Sequence, residues 1–299
     1  MSKVLAELID QLALERIEEN LFRGQSQDLG WGAVFGGQVL GQALSAAVQT
    51  VPPERSVHSL HAYFLRSGDV SKPIVYDVDR IRDGGSFTTR RVVAIQSGRP
   101  IFNLSCSFQK SEPGFVHQDP MPDTPAPETL APDSEYFARM AQTGPVPGSK
   151  KIDLAALNRD RPFELRTVHH QDHAVAPTPQ PARRRIWMRA VDKLPDSPAL
   201  HAYLLAYASD YSFITTALLP HGVTLYTLGM QVASIDHVMW FHQPFRADEW
   251  LLYVIDSPSA SGARGLVRGS VYTRDGTLVA STAQEGLIRM RGQTEQASS

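Results

Sequence analysis

The chain holds one cysteine, Cys106, in 299 residues. An intramolecular disulfide is excluded, and the composition suits a reducing compartment. Cys106 lies in an alternating strand pattern, as a buried structural thiol rather than a nucleophile would. No apolar run reaches the roughly 20 residues of a membrane-spanning helix. No basic, apolar leader opens the chain, and the terminal Gln-Ala-Ser-Ser is not a peroxisomal address, so a cytoplasmic protein is expected. A net charge of -2 gives no basic field for nucleic acid or a membrane surface. No Gly-x-Ser-x-Gly elbow occurs, which argues against an α/β-hydrolase. There is no phosphate-binding Gly-x-x-x-x-Gly-Lys-Ser/Thr loop and no His-Glu-x-x-His. His237 and His242 stand five apart in a strand pattern, face opposite sides and make a poor metal pair. No metal or cofactor is expected.

What is present is ordinary for a globular enzyme or binding protein: 42% hydrophobic and 20% charged residues. Val4, Leu5, Leu8, Ile9 and Leu12 share one helical face. A short strand pattern covers Ile17 to Ser26. Trp31 to Gly41 is Gly-rich, and Gln42 to Val51 reads as a helix apolar on nearly every side, hence buried. Gly37 and Gly41 fall on one side of it, where another element could approach closely. Four strands follow, Ser56 to Leu65, Pro73 to Asp83, Ser86 to Gln96 and Ile101 to Lys110, with a turn at Ser97-Gly98. Pro, Asp and Gly then mark a linker. Tyr136 to Gln142 is a short helix, and Phe163 to His169 and Arg184 to Ala190 alternate as strands. Val175 to Pro181 is an exposed connection, and the run Arg183-Arg184-Arg185 reads as a solvated loop.

The first pattern then returns. Leu200 to Leu219 is an apolar helix stopped at Pro220-His221-Gly222. Strands follow at Met230 to Phe241, Glu249 to Ser257, Ala263 to Thr273 and Thr277 to Met290. Val75-Tyr76-Asp77-Val78 is similar to Leu252-Tyr253-Val254-Ile255, and Ser59 aligns with Ser234. A duplicated helix-plus-meander unit explains both halves. Along Val232 to Phe245, strand alternation puts Ser234 and Asp236 on one face, Ile235 and His237 on the other.

Several runs carry a resemblance. Phe35-Gly-Gly-Gln-Val-Leu-Gly-Gln-Ala-Leu44, Ser59-Leu-His-Ala-Tyr-Phe-Leu65, Asp236-His-Val-Met-Trp-Phe-His-Gln-Pro-Phe245, Ser257 to Gly269 and Val279 to Gly286 resemble the type II, TesB-like acyl-CoA thioesterases. The resemblance implies an α+β double hotdog, two antiparallel sheets each wrapped round a long central helix. It places an N-terminal hotdog at 1-112, a linker at 113-158, a C-terminal hotdog at 159-292 and a tail at 293-299. It implies one site, in the second half, built from Asp210, Ser234 and Gln284. In the first half Ser59 stands for the serine, Gly37 or a neighbour for the aspartate and Ser107 for the glutamine. It also implies hydrolysis of acyl-CoA to free acid and CoA by direct water attack, and a homodimer or homotetramer.

These residue types suit that chemistry. A thiolate, whose conjugate acid has a pKa of about 8.5, leaves without strong acid help. Asp210 can orient water and accept its proton, while Ser234 and Gln284 hold it with donor and acceptor atoms. Arg264, Arg268, Arg90 and Arg91 are candidates for the CoA phosphates, since guanidinium groups bind them bidentately. Two other readings stay open: a hotdog enoyl-CoA hydratase and a non-catalytic acyl-CoA-binding module. The hydratase class pairs an Asp with a His a few residues on, but Asp210 is followed by Tyr211-Ser-Phe-Ile-Thr215.

Overall fold

The computed structural model describes residues 1–30, 32–142, 159–169 and 177–291. Trp31, the later part of the linker, the start of the connection at Val175 and the tail lie outside them. Helix α1 (Lys3–Leu12) buries Leu5, Leu8 and Leu12. The strand expected over Ile17 to Ser26 is instead a hairpin, β1 (Glu15–Glu18) and β2 (Leu21–Gly24). Next come α2 (Gly36–Val48), β3 (Arg55–Phe64), β4 (Ile74–Asp83), β5 (Phe87–Gln96) and β6 (Arg99–Lys110). After α3 (Asp133–Gln142) follow β7 (Phe163–Thr167), β8 (Arg183–Ala190) and α4 (Pro198–Ser209). The chain ends with β9 (Met230–Ser234), β10 (Asp236–Phe241), β11 (Leu251–Ser261), β12 (Arg264–Thr273) and β13 (Leu278–Met290).

The two expected sheets are continuous. Strands β3 and β10 pair antiparallel, so the described strands form one sheet. Outward from that seam, β6, β5, β4, β2 and β1 on one side answer β13, β12, β11, β8 and β7 on the other. The seam is reciprocal: Asp236 pairs with Tyr63 and Trp240 with Ser59. A pseudo-twofold axis therefore equates Ser59 with Asp236 and Tyr63 with Trp240. This corrects the alignment of Ser59 with Ser234, since Val57 takes the serine position.

Helix α2 begins six residues earlier than expected. Gly36 and Gly37 read as loop because glycine disfavours helix, but packing overrides propensity. A Cβ on Gly37 would sit 2.2 Å from the Tyr207 carbonyl oxygen of α4, so only glycine permits this crossing. The close approach inferred from Gly37 and Gly41 is made by α4, whose Tyr203 carbonyl lies 3.1 Å from a Cβ on Gly41.

The second half departs from its expected elements at two places. The helix expected from Leu200 to Leu219 breaks after Ser209. Ser212 takes φ +56°, and a 3-10 segment, Ile214–His221, follows. An evenly apolar run carries no signal of where a helix stops. The strand expected from Met230 to Phe241 breaks at Ile235. The basic run 183–185 lies in β8 rather than in a loop, and Arg184 and Arg185 have partners. Arg184 Nη1 donates to the Ser212 carbonyl at 3.1 Å and to Thr215 Oγ1 at 2.9 Å, bracing the break.

Candidate active site

Ser197 caps α4, accepting from the Leu200 N–H, and Pro198 takes the first helical position. At the other end Asp210 is the C-cap, carried to the N-terminus of the antiparallel α2. A Cβ on Gly36 would lie 2.6 Å from Asp210 Oδ2 and 3.0 Å from the Phe64 ring. The Gly37 backbone N–H hydrogen-bonds to the carboxylate. The positive end of the α2 dipole thus faces Asp210.

Two strands complete the cluster. Ser234 Oγ lies 3.5 Å from Asp210 Oδ1, and Gln284 Nε2 donates to Ser234 Oγ at 2.7 Å. Gln284 is fully buried, whereas Asp210 and Ser234 keep partial exposure, so the cluster opens on their side. Phe35 walls it, stacked on Tyr211 at 5.1 Å and edge-on to Tyr207 at 5.2 Å. Burial raises the Asp210 pKa to about 7, against the hydrogen bonds from Gln284, Gly37 and Ser234, which lower it.

The break at Ile235 changes which side chains share a face. The Ile235 N–H donates to Glu285 O at 2.9 Å, its carbonyl accepts from Phe64 N–H at 2.9 Å, and Asp236 Oδ1 accepts from Glu285 N–H at 2.6 Å. One extra residue between ladders reverses the alternation. His237 thereby turns inward, not away from Ser234 as strand parity predicts. It is fully buried, with Nδ1 2.6 Å from Gln284 Oε1 and Nε2 3.0 Å from Ser209 Oγ. Burial lowers its pKa to about 4, against the opposing Gln284 bond, so the ring is neutral. In the sequence His237 reads only as half of a poor metal pair. The signal that could have moved it is the bulge, which composition does not reveal.

None of the four arginines joins this cluster. Arg90 is buried and points inward. It donates to Thr50 Oγ1 at 2.9 Å, Thr50 O at 3.0 Å and Asp83 Oδ1 at 2.7 Å, fastening the end of α2 to the sheet. A guanidinium so occupied is not available to the CoA phosphates, contrary to its expected role. Arg91 pairs with Asp79 at 2.9 Å, Arg264 with Glu285 at 2.9 Å and Arg268 with Asp256 at 2.6 Å. Arg264 and Arg268 face outward, opposite Leu287 and Ala283, while Gln284 faces inward beside Val267. The sheet separates them from the carboxylate.

Residues 158–287 match a family model described as acyl-CoA thioesterase, and residues 26–109 one described as acyl-CoA thioesterase N-terminal domain. The chain is 45% identical to acyl-CoA thioesterase 2 of Haemophilus influenzae, over 97% of this chain and 99% of that one. Against human acyl-coenzyme A thioesterase 8 it is 40% identical, over 95% of this chain and 89% of that one. The crystal structure of acyl-CoA thioesterase II TesB2 from Mycobacterium marinum is similar at a TM-score of 0.75, with 41% identity, covering 97% of this chain and 99% of that one. A hot dog fold protein from Alicyclobacillus acidocaldarius, 20% identical with a TM-score of 0.73 over 95% of this chain and 98% of that one, shares the fold alone. Sheet, helices and relatives agree: the chain belongs to the acyl-CoA thioesterase family and has its hotdog fold.

Proposed function

We propose that this protein hydrolyses acyl-CoA to free acid and CoA by direct attack of a water molecule held by Asp210, Ser234 and Gln284. The observation that carries the reading is the convergence of a carboxylate, a hydroxyl and an amide where the two central helices meet. Asp210, with a pKa near neutrality, takes a proton from the water as its oxygen bonds to the thioester carbon. Ser234 and Gln284 fix the water's direction, supplying part of the entropic advantage of a positioned reactant. The first-turn N–H groups of α2, at Gly36 and Gly37, have no partners within their own helix. Gly37 gives its N–H to Asp210, which leaves the Gly36 N–H as the dipolar donor for the developing oxyanion. The C–S bond then breaks, the thiolate leaves, and no acyl-enzyme forms.

The same reading divides the chain into hotdog units at 1-112 and 159-292, joined by 113-158 and followed by a tail. It makes the protein a cytoplasmic homodimer or homotetramer. Arg91, Arg264 and Arg268 would reach CoA phosphates only by giving up Asp79, Glu285 and Asp256.

Thiol release from acyl-CoA by purified protein tests this directly. Asp210→Ala should lose turnover while keeping its melting transition, and full activity in that variant overturns the mechanism. Hydration of enoyl-CoA without thiol release would mark a hydratase, and binding without turnover a non-catalytic module. Against the hydratase, both ring nitrogens of His237 are engaged inside the protein.

A further inference from the structure

A polar chain runs behind the proposed site. It starts at Ser209, the last residue of α4, passes through His237, Gln284 and Ser234, and returns to Asp210, the next residue along the backbone. The ring closes on two adjacent residues and buries an imidazole with which the mechanism above does nothing.

We propose that His237 is a positioning residue: it holds the Gln284 amide with its oxygen inward and its NH2 group toward Ser234 and Asp210. This rests on the function proposed above. An amide can be turned over without changing its shape, so its direction is set by its partners. A neutral imidazole carries one proton. With that proton on Nδ1, the ring donates to Gln284 Oε1 at 2.6 Å. Nε2 is then an acceptor, and the Ser209 hydroxyl, 3.0 Å away, turns its one proton to it in place of the Ala206 carbonyl at 2.8 Å. The other tautomer would set the Nδ1 lone pair against the amide oxygen. A flipped Gln284 would set that oxygen against Ser234 and the Asp210 carboxylate. Ser209 complements this tautomer as a donor, the tautomer selects the amide face, and the amide presents donors to the hydroxyl and the carboxylate. The two links made by His237 are buried and only the two that reach Ser234 are part-buried, so water does not compete for His237.

The test compares His237→Phe and His237→Asn in the intact protein, by thiol-release kinetics from pH 5.5 to 9. Phenylalanine keeps the ring without a donor, and asparagine places an amide N–H near the Nδ1 position. His237→Phe should lower kcat about 10- to 100-fold, the scale of a misplaced positioning group, with KM little changed. His237→Asn should recover most of the loss. The acid limb of kcat/KM should move to higher pH in the phenylalanine variant, because the Gln284 donor that favours ionised Asp210 is no longer aimed. The groups facing Asp210 from its neighbours are Gln284, Ser234 and the Gly37 N–H. The nearby Tyr211 and Tyr253 hydroxyls have raised pKa values and stay neutral in this range. A purely structural histidine would lower yield or melting temperature without moving that limb. Unchanged kcat in His237→Phe, or equal losses in both variants with an unmoved limb, overturns the proposal. If the phenylalanine variant does not fold, Ser209→Ala decides: a several-fold loss of kcat at constant KM supports the chain, and no loss refutes it. Asp210→Asn runs beside these as a control. Should it stay fully active, the water mechanism fails, a result distinct from failure of His237 alone.

Discussion

The two halves share one ladder and differ at the positions that would do chemistry. In the second half Val267 lies opposite Gln284, and Gln284 bonds His237. In the first half, the equivalent of Val267 is Arg90, that of Gln284 is Cys106 and that of His237 is Leu60, with Arg90 and Leu60 both paired to Cys106. A hydrogen-bonded pair is replaced by an apolar pair, and the space beside it is filled by a guanidinium tied to Thr50 and Asp83. Helix α2 carries no acidic residue. Yet the first half is not idle, because the N-terminus of α2 faces Asp210. Duplication left one half to hold the carboxylate and the other to supply the helix end beside it. This register also replaces Ser107 by Cys106 as the counterpart of the glutamine.

The sharpest way to break the contrast is to copy the first half into the second. The double variant His237→Leu, Gln284→Cys reproduces the Leu60–Cys106 pair. It should cut kcat by about 1,000-fold with the melting transition retained, as loss of a preorganised donor set does. Ser234→Val copies Val57 and removes only the hydroxyl. A loss of about 100-fold is expected there, while Ser234→Thr should stay within a few-fold of the parent, both read as thiol release. In the other direction, Arg90→Met should unfold about 3 kcal/mol more easily in urea, because buried carbonyl and hydroxyl partners are stranded. Its kcat should be that of the parent.

Asp210→Asn gives a smaller stability effect of opposite sign. A carboxyl whose folded pKa is raised from 3.8 to about 7 destabilises the fold wherever the unfolded chain ionises it. The cost is absent below pH about 4, grows between about 4 and 7 and is full above. Asparagine removes it, so the variant should melt higher at pH 8, by on the order of 1–3 kcal/mol after allowing for partial exposure. It should show no advantage at pH 3.5.

Much of this was legible in the sequence, for identifiable reasons. Strands β4, β5, β12 and β13 alternate cleanly, and residues Gly37 and Gly41 announced a close helix crossing. The turn at Ser97-Gly98, with φ of 52° and 72°, follows from its glycine. The candidate trio came from resemblance, and lone Ser, Gln and Asp side chains carry no such signal by themselves. What escaped was geometry that leaves composition untouched. A single residue at Ile235 reversed the facing of His237, and four residues after Ser209 ended a helix whose apolarity continues. Arg90 was mistaken because arginine is usually exposed, though its place between Thr88 and Val92 on the inward parity of β5 was readable.

Thiol-release kinetics of the parent and Asp210→Asn, measured side by side from pH 5 to 9, bear most directly on the carboxylate as the water's base. The parent's kcat/KM should rise with pH and level off above about 7, and the variant should lie at least about 1,000-fold lower with no such rise. A variant that keeps the parent's rate, or retains the same acid limb, would contradict it.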